Sequence, residues 1–229
     1  MAVADHIKGH FFAFDRKPNE IPSATAWKLL LLFVVFEYAI GPRMGGLAQF
    51  GLVLPEGLRV ILLTAALLVL TRLFVGPLSQ IGLRPWRDWN RIERSYFTQT
   101  FLLANAVFLF LRRSRLADIA TDPGLIIAAG ASFFAHLFWG FYQEAIYRGV
   151  LQTALVRRLG AVAGVILANI AFTFGPLHYY HFAESSNPLT MFGAIFAIGL
   201  LFGVIRRRSD NLIIVGVLHG VGDWYLTGL

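Results

Sequence analysis

The chain has 229 residues, 57% of them hydrophobic and only 14% charged, with a mean hydropathy of +0.64. Soluble domains carry about 25% charged residues, so an ordinary soluble domain is excluded, and long apolar runs rather than roughly 10-residue alternating segments argue against a β-barrel. The absence of cysteine removes a disulfide framework, a thiolate metal site and a cysteine nucleophile; the net charge of +7 reads as Lys and Arg gathered in loops on one side of a membrane, not as a nucleic-acid footprint, because no recognition motif accompanies it.

Residues 1–21 form a polar, partly amphipathic arm in which His6, His10, Phe11, Phe12 and Phe14 suit an interface. No short h-region with a small-residue cleavage site is present, so the first span is expected to stay as an anchor. Span 1 is expected over Pro22–Ile40, with Glu37 near its end as an interfacial carboxylate, and Gly41-Pro42 breaks it. Residues 43–57 read as a loop or re-entrant stretch. Span 2 covers Leu58–Val75 and stops at Gly76-Pro77. A basic loop with Trp86 and Trp89 leads to span 3, Tyr96–Leu111, closed by Arg112-Arg113-Ser114-Arg115. Span 4 runs from Gly124 to about Arg158, span 5 over Ala161–His178, span 6 over Pro188–Ile205 and span 7 over Leu212–Leu226.

The fold expected is therefore all-α, a multi-pass transmembrane helical bundle of about seven spans, or eight if residues 42–57 hide another. It divides into the arm (1–21), N-terminal transmembrane helices (22–123) and a C-terminal transmembrane core (124–229). No internal repeat supports an inverted-repeat transporter. With the N-terminus inside, fourteen Lys and Arg fall in inner loops and five outside, which predicts a cytoplasmic N-terminus in a cell membrane, most simply a bacterial inner membrane. The Arg112–Arg115 cluster runs against this orientation.

Span 4 carries the sharpest anomaly. Gln143, Glu144 and Arg148 lie in its middle. A charge there costs on the order of 2.5–3.5 kcal/mol, which makes it a functional-site hypothesis by default. Glu144 and Arg148 are four apart and share a helix face, so they can pair. Span 5 ends in Phe174-Gly175-Pro176-Leu177-His178, and span 7 holds His219 and Asp223, again four apart. At ~1.5 Å per residue, Glu144 lies roughly 21 Å, His178 roughly 26 Å and Asp223 roughly 18 Å from the inner surface. Three neighbouring helices can thus bring these groups around one cavity. Each also has a bland reading: a neutralised structural pair for Glu144–Arg148, an interfacial histidine for His178, a polar clasp between helices for His219–Asp223. His136 and His181 keep the bland reading.

Taken together, Gln143-Glu144-x-x-x-Arg148, Phe174-x-x-x-His178 and His219-x-x-x-Asp223 resemble, in type, order and spacing, the three motifs of the CAAX protease and bacteriocin-processing family, which includes the Ras-converting CAAX endopeptidases. The resemblance covers about residues 124–226. It implies a glutamate-type intramembrane endopeptidase, without cofactor or metal, acting on a membrane-associated peptide or protein in the bilayer: sorting-tag, leader or CAAX-type processing. By resemblance, position 143 and His178 activate water, His219 and Asp223 stabilise the oxyanion, and Glu144 and Arg148 orient and support.

Gln143 departs from the family, which has a glutamate there. A carboxamide has the shape of a carboxylate but takes no proton from water near neutral pH. Two readings stay open: an engineered Glu-to-Gln exchange that captures an inactive form, or a natural glutamine, with Glu144 as base or with no hydrolysis at all. Two rival functions also stay open: a metal-dependent membrane protease using Glu144, His178 and His219 as ligands, and a non-catalytic immunity or scaffold relative.

Overall fold

A computed structural model describes residues 21–41 and 54–229; the N-terminal arm and most of the expected loop or re-entrant stretch lie outside these. The described residues form helices and connecting turns, without strands. Helix α1 (Ser23–Val34) continues into a π-helical turn, Val35–Ala39. α2 (Glu56–Leu70) does the same through Thr71–Val75. Two short 3₁₀ turns lead to α3 (Arg91–Leu111) and the short α4 (Arg113–Ala120). The central rod is α5 (Pro123–Glu144), a π-helical segment (Ala145–Leu151) and α6 (Gln152–Leu159). Then come α7 (Ala161–Phe174), the short α8 (Tyr179–Ala183), α9 (Pro188–Ser209) and α10 (Leu212–Asp223), which ends in a π turn, Trp224–Gly228.

Local sequence explains the boundaries. Asp122 accepts the amide of Gly124 at 2.7 Å and precedes Pro123, so an acidic cap and a proline at the first position start the central rod. Asn90 and Glu93 form a reciprocal capping box on α3. Asn211 accepts the Ile213 amide at 3.0 Å to start α10. Gly160, at φ +84°, makes the reversal between α6 and α7 that a residue with a Cβ would resist.

Three helices among the described residues are long and apolar enough to cross a membrane: Gly57–Val75, Pro123–Leu159 and Pro188–Ser209. Ala161–Phe174 and Leu212–Gly228 are apolar but shorter. α3 is long enough, yet it begins Arg91-Ile92-Glu93-Arg94 and carries Gln99 and Asn105. Span 5 is shorter than expected: its helix stops at Phe174 because Gly175 adopts an extended conformation ahead of Pro176, so His178 lies in a turn.

The packing is built around the rod. All seven residues of its π segment are buried, Arg148 among them. α10 packs along α5, α7 against α6 and α9, and α1 against α6 and the π segment. Where α5 and α10 cross, Gly140 and Gly220 face each other: a Cβ on either would collide with the other helix's backbone. Small residues at such a crossing let backbones approach closely without a solvophobic drive.

Glu37 differs from its expected place. It is buried in protein at 1% exposure, because the π turn after α1 swings it inward against the rod.

Candidate active site

The crossing at Gly140 and Gly220 sets the site, because Glu144 follows Gly140 by one turn and His219 adjoins Gly220. Glu144 is fully buried, and its Oε1 accepts a hydrogen bond from His219 Nδ1 at 2.8 Å. Its Oε2 lies 3.5 Å from Arg148 Nε, so the expected pairing across one helix turn forms. His219 Nε2 lies 3.4 Å from Asp223 Oδ2, the second expected pair. A continuous chain therefore runs Arg148–Glu144–His219–Asp223 across α5, the π segment and α10. The π segment begins immediately after Glu144; wide turns of this kind are frequent at functional sites.

Arg148 is held from two further sides. Its Nη2 donates to the Gly199 carbonyl of α9 at 2.7 Å, and its guanidinium stacks 4.1 Å from the Phe172 ring centroid. Such stacking stabilises a desolvated cation by about 2 kcal/mol. Gln152 and Asn169 extend the same seam, donating to the α9 carbonyls of Gly203 and Phe196 at 2.9 and 3.0 Å.

His178 sits in the turn after α7, with its ring centroid 6.4 Å from that of His219. Its Nδ1 lies 2.9 Å from the Phe172 carbonyl. A carbonyl only accepts, so Nδ1 carries the proton and a neutral ring keeps its lone pair on Nε2. Gln143 is buried, and its Oε1 has no hydrogen-bond partner among the described residues. The structure thus joins Glu144, Arg148, His219 and Asp223 directly and sets His178 beside them, whereas the Gln143 oxygen bonds to none of the five.

Phe174, the aromatic of the expected Phe-x-x-x-His spacing, points outward at 53% exposure and meets Phe192. The aromatic in contact with His178 is Phe172, at 4.0 Å between centroids. Sequence reasoning also missed Glu37 and Tyr147, whose side chains bond each other beneath the site. Tyr147 lies inside the first motif, which was a usable signal; Glu37 had none beyond being an acid in an apolar run. His136 is held by Ser132 and Thr227 away from the site, and His181 is exposed.

Among the described residues no group of three His, Asp or Glu is arranged to hold a metal ion. An apolar groove of about 350 Å³ between α3, α9 and α10 reaches His219 and Asp223; Leu103, Val107, Ile198, Leu201 and Leu218 line it.

Residues 125–225 match an Rce1-like family model. Its description is type II CAAX prenyl endopeptidase Rce1-like, and the matched stretch holds all six candidate residues. The family that the three motifs resemble is thus matched by a family model over this segment, less than half of the chain. Comparison with curated proteins and with solved structures gave no significant match.

Proposed function

We propose that the chain is an intramembrane endopeptidase that cleaves a membrane-associated peptide or protein by water activated at His178 and position 143. The observation that carries this reading is the Glu144 carboxylate, buried and tied to both Arg148 and His219, with a second imidazole 6.4 Å from the first. In this reading His178 Nε2 takes a proton from water as the oxygen attacks the scissile carbonyl, then returns it to the departing amide nitrogen. His219, protonated on both ring nitrogens between the Glu144 and Asp223 carboxylates, turns its Nε2 proton from Asp223 to the oxyanion. Glu144 fixes the ring of His219 and Arg148 fixes Glu144. Gln143 holds the water through Oε1 without taking its proton, so the glutamine form is slow or inactive.

The groove beside His219 and Asp223 suits an apolar segment or lipid chain of the substrate. The charge distribution supports a cytoplasmic N-terminus, and the depth of the site within the bilayer favours substrates presented from the extracytoplasmic side.

The test uses full-length protein in proteoliposomes with two internally quenched probes, a farnesylated CAAX peptide and a non-lipidated transmembrane peptide. A Gln143→Glu variant should cleave at least one of them 10²–10⁴-fold faster than the glutamine form, the usual contribution of a positioned base. His178→Ala in that background should abolish the gain, and a chelator should not. No cleavage of either probe with either residue at 143 would favour the non-catalytic relative; chelator-sensitive cleavage would favour the metal-dependent protease.

A further inference from the structure

Glu37 is a buried acid with no part in the proposed mechanism. Glu37 is 1% exposed, and its Oε1 accepts a hydrogen bond from the Tyr147 hydroxyl at 2.5 Å. Tyr147 lies one residue before Arg148 and is wholly buried, its ring edge-on to Phe33 of α1 at 5.5 Å and to Phe172 of α7 at 5.2 Å. A Cβ placed on Gly175 would collide with the Tyr147 hydroxyl, so the oxygen fills the space where Gly175 lacks a side chain. Gly175 in turn anchors the turn that bears His178: its carbonyl accepts the amides of His178 and Tyr179, both at 3.0 Å. Phe172, whose ring packs edge-on to Tyr147, supplies the carbonyl that accepts the hydrogen bond from His178 Nδ1. A carboxylate in the π turn after α1 therefore holds a phenol that touches both supports of His178.

We infer that Glu37 and Tyr147 are positioning residues that set the His178 turn, acting through the hydroxyl at Gly175 and the ring of Phe172. The assignment of His178 to the reaction rests on the function proposed above; the positioning does not. A phenol–carboxylate bond has one direction and one length, and a buried acceptor left without its donor is costly. The pair thereby fixes one arrangement of the turn where apolar contacts alone tolerate several. Burying an acid in a membrane protein is otherwise a loss, which is reason to expect a use.

The test is local hydrogen exchange, by mass spectrometry, on the full chain in nanodiscs, with cleavage of the two probes measured in the Gln143→Glu background. Tyr147→Phe removes one oxygen atom; Glu37→Leu removes the acceptor; Glu37→Gln keeps a carbonyl acceptor. Exchange at residues 175–179 should rise about tenfold or more in Tyr147→Phe and in Glu37→Leu, no further in the double variant, and stay within twofold in Glu37→Gln, with α5 and α10 unchanged in all four. Wild-type exchange at 175–179 in Tyr147→Phe overturns the inference, and so does a rise spread equally over α5 and α10, which marks general loosening. If Glu37→Leu does not fold, Tyr147→Phe decides alone. A loosened turn with unchanged probe turnover upholds the positioning and overturns the role given to His178.

Discussion

Gly220→Ala tests whether the α5–α10 crossing assembles the site. A Cβ at this position would stand 2.6 Å from Leu137 Cα and 2.8 Å from the His136 carbonyl oxygen. Both are backbone atoms, so no rotamer change relieves the contact. Carbon atoms rest about 3.5–4.0 Å apart, so the helices must separate by roughly 1 Å. The Glu144–His219 hydrogen bond, 2.8 Å long and adjacent to the crossing, would then stretch to about 3.8 Å, beyond hydrogen-bonding distance. Overpacking of this kind destabilises by about 1–3 kcal/mol, and losing the acceptor for a buried imidazole N–H adds about 1–3 kcal/mol. Equilibrium unfolding in mixed detergent micelles should show a loss of roughly 2–6 kcal/mol, and cleavage in the Gln143→Glu background should fall at least 100-fold even where the protein is folded. Unfolding stability within about 0.5 kcal/mol of the parent would refute the claim that backbone contact at this crossing is obligatory.

Other substitutions probe separate links. Glu144→Gln keeps an acceptor for His219 but leaves the guanidinium of Arg148 without its carboxylate; by the usual cost of breaking a buried pair, unfolding free energy should drop by about 3–5 kcal/mol, and a change below about 1 kcal/mol would mean that Phe172 and the Gly199 carbonyl suffice. Asn211→Ala removes the α10 cap and a 3.2 Å bond to Glu93, which also pairs with Arg84. It should cost about 1–2 kcal/mol in the same unfolding assay while leaving the KM for the cleaved probe unchanged, because this cluster lies at the opposite end of α10 from His219.

The parts of the site that were legible in the sequence are those set by one helix. Glu144 with Arg148, and His219 with Asp223, pair because residues four apart share a face whatever surrounds them. The Phe174–His178 spacing did not carry over, because the helix stops at Phe174 and Gly175-Pro176 turns the chain; Phe172, two residues earlier, inherits the contact. The π-helical segment was invisible for a different reason. Its wide turns are imposed by what packs around Ala145–Leu151, all of it buried, and nothing in Ala-Ile-Tyr-Arg-Gly-Val-Leu signals them locally. Glu37 looked interfacial because it stands near the end of an apolar run. Its real environment depends on Tyr147, 110 residues away, and long-range pairing of that kind leaves no periodic trace.

The geometry also explains why α9, which contributes none of the titratable groups of the site, matters to its chemistry. In a membrane interior an arginine must find acceptors within the protein. Arg148 takes the Gly199 carbonyl as acceptor and has the Glu144 carboxylate as an ion-pair partner at 3.5 Å, and Gly199 leaves room for this because a Cβ there would collide with Asn169 and Phe172. Moving α9 would pull the guanidinium, the guanidinium would pull the Glu144 carboxylate, and the carboxylate would turn His219. The orientation of the imidazole nearest the proposed oxyanion is therefore a property of three packed helices, α5, α9 and α10. The apolar groove lies between α3 and the last two of these, so a substrate segment wedged into it would act on the helices that hold His219 and Arg148.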